Sequence, residues 1–122
     1  MTNKAQKILL VDDEEKFLNS IAERLKLLGF DPLKASSGRQ ALELAKNNRI
    51  DMAIVDLKMP DMDGLAVITN LKKIDAAIQT LLLTGHGDEK LKEATEALNS
   101  SYFDKEEMGR FWEFLSNLPL GN

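Results

Sequence analysis

The sequence predicts one α/β domain in which helices cover both faces of a five-stranded parallel sheet. Short apolar runs without polar alternation, at residues 8–11, 52–55 and 80–84, are typical of buried parallel strands. Amphipathic stretches separate the runs, so strand and helix alternate five times along the chain. The 122 residues leave no room for a second core. We therefore expect a single domain over 1–122, with its core at about 5–118 and a tail at 119–122.

The first half of the chain predicts an outer strand and two helices beside the first buried strand. Residues 31–35 contain Pro32, and proline is confined to the edges of sheets. Ser37 precedes Gln40 by three residues, which is the spacing of a capping box at the start of the second helix. The first helix should stop at Gly29. Its apolar stripe consists of Phe17, Ile21, Leu25 and Leu28.

The second half predicts three helices and a weak fifth strand at residues 101–103. The third helix is marked by Leu65, Ile68 and Leu71. The fourth helix, at 89–98, has Leu91, Ala94, Thr95 and Leu98 on one side. Phe114 falls beside the apolar stripe of the last helix, so an exposed contact is an alternative to burial. That stripe consists of Met108, Phe111, Trp112, Leu115 and Leu118.

Composition excludes several classes of site. The net charge is −4 and no basic cluster is present, so direct nucleic-acid binding is not expected. The absence of cysteine excludes disulfides and thiolate metal sites, and it suits a reducing cytoplasm. No apolar run is long enough for a signal peptide or a membrane span, so we expect a cytoplasmic protein without membrane contact.

Polar side chains follow the predicted strands at the point where each strand ends. They are Asp12, Asp13, Asp56, Thr84 and Lys105. Ligands of open parallel sheets bind at this edge. Three clustered carboxylates repel one another unless a cation lies among them, and Mg²⁺ (or Mn²⁺) prefers such oxygen ligands. A divalent cation with a lysine and a threonine binds phosphoryl groups, and one carboxylate can then act as the nucleophile.

Four stretches identify a family resemblance: "ILLVDDE" (8–14), "VDLKMPDMDGL" (55–65), "LLLTGHG" (81–87) and Lys105. With them the chain resembles the receiver domain of a two-component response regulator, over residues 5 to 118. The resemblance implies a flavodoxin-like, doubly wound (βα)5 sandwich with strand order 2-1-3-4-5.

The resemblance also implies roles at the site. Asp56 would be the phosphoacceptor. Asp13 would bind Mg²⁺ directly, Asp12 would bind it through water, and the backbone carbonyl of Lys58 would complete the protein ligands.

Further roles concern the phosphoryl group. Thr84 and Lys105 would contact it, and Gly85 would leave room for it. Tyr102 would rotate inward when Thr84 shifts on activation.

The implied partners are a sensor histidine kinase or phosphotransfer protein, and a downstream protein or output domain that binds the helix 4–strand 5–helix 5 face. The chain would not be an enzyme for external substrates. It would promote its own Mg²⁺-dependent phosphorylation and dephosphorylation.

The chain departs from the family pattern near the fifth strand. Glu106 stands where the family has a proline after the lysine, with a cis bond before it. A cis bond before a non-proline residue costs about 3–4 kcal/mol, so this peptide should be trans or the loop rebuilt. Asn99 and Ser100 replace a usual Gly-Ala, and the interval from Thr84 to Lys105 is about one residue short.

Two other functions and several structural interpretations compete with phosphoacceptance. The altered corner favours an interaction module that signals without phosphorylation. A phosphohydrolase would need an acid two residues past the nucleophile, where this chain has Lys58. The acidic pair at 12–13 could simply cap a helix, and residues 61–64 fit a turn capped by Asp61 and Asp63 and relieved by Gly64. His86 is interpreted as a loop residue that tunes water access.

Overall fold

A computed structural model describes residues 6–85 and 87–118 of the chain. Five parallel strands form one sheet in the order β2-β1-β3-β4-β5, which confirms the predicted fold and the outer position of the proline-bearing strand. The strands are β1 (Lys7–Val11), β2 (Asp31–Ala35), β3 (Met52–Val55), β4 (Gln79–Thr84) and β5 (Ser101–Asp104). The α-helices are α1 (Glu15–Leu27), α2 (Gly38–Asn47), α3 (Gly64–Ile74), α4 (Glu89–Ala97) and α5 (Met108–Ser116), and a 3₁₀ turn spans Lys105–Glu107.

Two hydrophobic layers cover the faces of the sheet, because successive residues of each strand point to opposite sides. Ile8 and Leu10 pack in a layer with α1 and α5, whereas Leu9 and Val11 pack in a layer with α2 and α3. All four side chains are almost completely buried. Both faces of the central strands are therefore covered, as their unbroken apolar runs predict.

Two helices end in left-handed residues. Gly29 has φ 96° and lies just past α1, where the amide of Phe30 donates to the carbonyl of Leu25 at 2.9 Å. Asn99 has φ 57° and ends α4 in the same way, and its neighbour Ser100 donates its amide to Thr95 at 3.2 Å. Asparagine tolerates this conformation better than most residues other than glycine. Asn99 therefore makes a left-handed turn at the position where the family pattern has a glycine.

Several details differ from the sequence-based expectations. Ala94 is exposed, so it does not join the inner side of α4. Leu118 lies beyond the end of α5 but still packs against the core. Phe114 is half-buried, with its ring centroid 5.3 Å from that of Phe103, which removes the exposed-contact alternative. The expectations for His86, for the tail at 119–122 and for the core at residue 5 lie outside the described residues.

No helix within residues 6–85 and 87–118 combines the length and the apolar character needed to cross a membrane.

Candidate functional site

The three aspartates of the strand ends lie together at the carboxyl edge of the sheet. Asp56 follows β3, and its amide extends the ladder by donating to the carbonyl of Val11 at 2.8 Å. Asp12 follows the neighbouring strand β1 and extends it toward β2 by donating to Ala35 at 3.1 Å. One carboxylate oxygen from each of Asp12, Asp13 and Asp56 lies within 4.8 Å of the others. Two adjacent strands thus bring all three carboxylates into one cluster.

Lys105 reaches this cluster from the end of β5. Its Nζ lies 2.8 Å from Oδ2 of Asp12 and 3.4 Å from Oδ1 of Asp56. The ammonium also lies 3.4 Å from Oε1 of Glu14 and 4.2 Å from the ring centroid of Phe17. Its side chain is only 16% exposed. The lysine is therefore held among four partners as the one cation facing the carboxylates in the described part of the chain.

The charge of Asp56 is poorly compensated by the other side chains of the protein. Burial raises the pKa of its carboxyl group, and the neighbouring charge of Asp12 raises it further. The charge and hydrogen bond of Lys105 act in the opposite direction but do not cancel the rise. For Lys105, burial lowers the pKa, but the hydrogen bond to Asp12 and the charges of Asp12, Asp56 and Glu14 together outweigh it, so the net pKa is raised. The site thus retains excess negative charge and favours another cation.

This imbalance makes stability depend on pH. Well below the ordinary value of 3.8, Asp56 is protonated in both the folded and the unfolded chain. As the pH rises, the unfolded chain releases this proton before the folded chain does, because the pKa is higher in the folded state. The free energy of unfolding therefore decreases until the pH has passed the folded pKa. We expect Asp56→Asn to have a higher urea midpoint than wild type at neutral pH without Mg²⁺, with the difference shrinking as the pH falls toward 3.8. Urea titrations across this range check it, and equal midpoints throughout would contradict it.

The peptide between Lys105 and Glu106 is trans, as the missing proline predicts. None of the described peptide bonds is cis. Lys105 opens the 3₁₀ turn, and the amide of Glu106, which a proline would lack, donates to Oδ1 of Asp104 at 2.8 Å. This capping bond stabilises the turn from which Lys105 extends into the carboxylate cluster.

Thr84 is the last residue of β4 and is fully buried, directly opposite Asp104 in the sheet register. A methyl group at Gly85 would meet only the Lys105 side chain, at 3.9 Å, so a small residue there leaves open space beside the lysine. Tyr102 is half-buried and its hydroxyl occupies the space that a side chain at residue 87 would need. Glycine at 87 is thus required for the observed position of Tyr102.

The loop after Asp56 contains Lys58 and closes onto the start of α3. Asp63 caps that helix by accepting from the amide of Ala66 at 2.9 Å, as expected. The expected role of Gly64 in relieving the backbone is wrong, because Gly64 does not adopt positive φ. It is needed for close approach instead, since a methyl group there would overlap the backbone carbonyl oxygen of Asp56.

Sequence reasoning missed Glu14 and Phe17 as neighbours of the lysine. The position of Glu14 directly after the acidic pair is the feature of the sequence that indicates its place near the cluster. Phe17 was assigned only to the apolar stripe of α1, where it is half-buried and packs against the core. The helix-cap interpretation of the acidic pair is wrong, because the N-cap position of α1 is Glu14. Oδ1 of Asp12 instead accepts from the amide of Glu14 at 2.9 Å, in a turn just before the helix. The other oxygen of Asp12 faces Lys105.

The residues present fit a hard divalent cation. Mg²⁺ takes one or two carboxylates with several waters, and carboxylate oxygens are its preferred protein ligands. Asp13 is exposed while Asp12 and Asp56 are buried, so the cluster offers ligands at the surface and below it. Burial and the neighbouring charge of Asp12 raise the pKa of Asp56, so added positive charge would stabilise this carboxylate.

Comparison with known proteins agrees with this geometry. Residues 8–109 match the response regulator receiver domain family model. Over 101 residues, covering 82% of each protein, the chain is 31% identical to sporulation initiation phosphotransferase F of Bacillus subtilis. The crystal structure of a response regulator receiver domain protein from Clostridium thermocellum superposes with a TM-score of 0.83 at 31% identity, covering 92% of this chain and 91% of that one. The chain belongs to the response regulator receiver domain family, whose members act in two-component signalling.

Some relatives are much longer. The transcriptional regulatory protein GlrR of Escherichia coli is 32% identical over 87 residues, which cover 71% of this chain and 20% of that protein. The chain thus spans about a fifth of the length of such relatives.

Proposed function

We propose that the chain is a phosphorylation-dependent switch that accepts a phosphoryl group on Asp56. The observation that carries this proposal is the convergence of three carboxylates and Lys105 at one edge of the sheet. Asp12, Asp13, Asp56 and the carbonyl of Lys58 would hold Mg²⁺, or Mn²⁺ in its place. The bound cation supplies positive charge against the oxygens of the incoming phosphoryl group.

Asp56 supplies the nucleophile. A carboxylate oxygen attacks phosphorus, the phosphorus–nitrogen bond of a phosphohistidine breaks, and its electron pair remains on the imidazole of the donor. Lys105 already lies 3.4 Å from Asp56, so its ammonium can contact a phosphoryl oxygen after a small movement. Thr84 would donate its hydroxyl to another oxygen. Water attack on the aspartyl phosphate would reset the switch, and no external substrate is turned over.

The output is a shift between two conformations. Phosphorylation biases an equilibrium in which Thr84 and Tyr102 rearrange. A groove of about 350 Å³ between α4, β5 and α5 contains Tyr102 and is the proposed contact for a downstream protein or output domain. The phosphoryl donor is a sensor histidine kinase or a phosphotransfer protein.

The rival functions have less support. An interaction module that does not use phosphorylation was suggested by the altered corner, yet Lys105 contacts Asp12 and lies close to Asp56 despite that corner. A phosphohydrolase would need an acidic residue two positions past the nucleophile, and this chain has Lys58 there.

The test is intact-mass spectrometry after incubation with acetyl phosphate. We expect the chain to gain the mass of one phosphoryl group with Mg²⁺ and to remain unmodified when EDTA removes the metal, because the carboxylate cluster then repels the anionic donor. Acetate leaves with the electron pair of the broken phosphorus–oxygen bond. A chain that is never modified, or that is modified equally in EDTA, would refute the proposal.

A further inference from the structure

The loop that follows Asp56 is attached to the rest of the molecule at two points. Its base is closed by a hydrogen bond in which the amide of Gly64 donates to the carbonyl of Leu57 at 2.7 Å. The close contact between Gly64 and the carbonyl of Asp56 holds the same end. Lys58 lies inside the loop, one residue past this closed base.

The second attachment is made by Asp61 at the tip of the loop. Its Oδ1 accepts from the amide of Gly38 at 3.0 Å, and its Oδ2 accepts from the amide of Arg39 at 2.8 Å. These two amides belong to the first two residues of α2, which are 23 and 22 positions away in the chain. The Met62 side chain also fills the space beside Gly38, where a methyl group would overlap it. Both oxygens of one carboxylate thus fasten the loop to α2.

Asp61 does not belong to the carboxylate cluster at the strand ends. Among the described residues, the group able to hold a metal comprises Asp12, Asp13 and Asp56. Asp61 was expected to cap the turn at 61–64, and its two hydrogen bonds extend that capping to the start of a different helix. Any effect of Asp61 on a cation would therefore pass through the loop.

We propose that Asp61 is a positioning residue for Mg²⁺ binding, an inference that rests on the proposed function. Lys58 lies between the closed base of the loop and Asp61. Its carbonyl can be aimed only by the loop backbone, because no side-chain rotation moves it. Fastening the tip removes backbone conformations that the metal would otherwise have to order when it binds. The loop is thereby held ready for the cation.

The experiment is a calorimetric Mg²⁺ titration of wild type, Asp61→Asn and Asp61→Ala. Residues that support metal ligands typically change affinity by 10–100-fold, and we expect an increase in Kd of roughly tenfold for Asp61→Ala. Asparagine keeps one acceptor oxygen and should fall between the two. The half-maximal Mg²⁺ concentration for phosphorylation by acetyl phosphate should rise in parallel, whereas the rate at saturating Mg²⁺ should stay close to wild type.

Ser37→Ala is the matched control. Ser37 caps the same end of α2 by accepting from the amide of Gln40 at 3.1 Å, so its side-chain hydrogen bond stays within the helix. Its loss should cost about 1 kcal/mol of stability without changing the Mg²⁺ Kd. In wild type, Mg²⁺ should also shift the amide resonances of Gly38 and Arg39, and in Asp61→Ala it should not.

Two results would overturn the inference: an Asp61→Ala Kd within twofold of wild type, or an equal loss of affinity in Ser37→Ala. If the alanine variant unfolds, the Mg²⁺ Kd of Asp61→Asn decides the question, after circular dichroism has shown that this variant is folded. A wild-type chain that binds no Mg²⁺ would instead refute the proposed function, so the two failures are distinguishable.

Discussion

Asp56→Asn is expected to abolish phosphorylation of the chain by acetyl phosphate and Mg²⁺. The amide that replaces the carboxylate is neutral, so it is a far weaker nucleophile toward phosphorus. Asp56 also lies at the centre of the proposed site, where its side chain is 7% exposed and faces Lys105. Intact-mass spectra of wild type and variant, recorded after the same incubation, measure the effect directly.

Asp63→Asn is the control for this experiment. Asp63 is an exposed carboxylate seven positions along the chain, and it caps α3 without joining the cluster of Asp12, Asp13 and Asp56. This variant should be phosphorylated as wild type is. A phosphoryl group on Asp56→Asn would show that Asp56 is not the acceptor. A folded Asp63→Asn variant without a phosphoryl group would show that Asp56 does not act alone.

The second large effect is expected in folding. Gly64→Ala would place a methyl group against the carbonyl oxygen of Asp56 and 2.8 Å from Cδ1 of Leu82. The carbonyl belongs to the backbone at the end of β3, so it cannot move aside as a flexible side chain can. Overpacking of this kind typically costs 1–3 kcal/mol, and we expect a loss of about 3 kcal/mol in the free energy of unfolding. Urea denaturation at neutral pH measures it.

Gly109→Ala provides the opposite case within the same chain. A methyl group at Gly109 meets no other atom within 4 Å. The residue lies in the first turn of α5, where alanine is the better helix former. This variant should gain about 0.5–1 kcal/mol. If the two variants had equal stability, the close approach at Gly64 would not be a constraint.

The sequence was sufficient to predict the sheet and its edge. Unbroken apolar runs such as 8–11 favour a strand buried on both faces, because four residues are too few for a buried helix. Once the strands are parallel, their carboxyl ends share one edge, so Asp12 and Asp56 must be near each other. The position of Lys105 after the weak fifth strand places it at the same edge, and the family resemblance supports its role there.

Other contacts could not be predicted because they join segments whose separation no local pattern encodes. Asp61 fits an ordinary turn, and nothing near it indicates that its partners are the amides of Gly38 and Arg39. The sequence suggests that Gly64 is needed for its dihedral angles. In the structure glycine is needed there because a side chain would overlap the carbonyl oxygen of Asp56. Such choices depend on tertiary packing, which a periodic pattern does not contain.

The hydrogen bond from the amide of Glu106 to Asp104 bears on how distant relatives can be recognised. A search pattern that demands proline after the lysine would reject this chain, although Lys105 still reaches Asp12. The side chain of Asp104 stabilises the corner by accepting from the amide two residues later, an amide that a proline would not have. In this chain the aspartate directly before the lysine thus stands in for the proline at the corner.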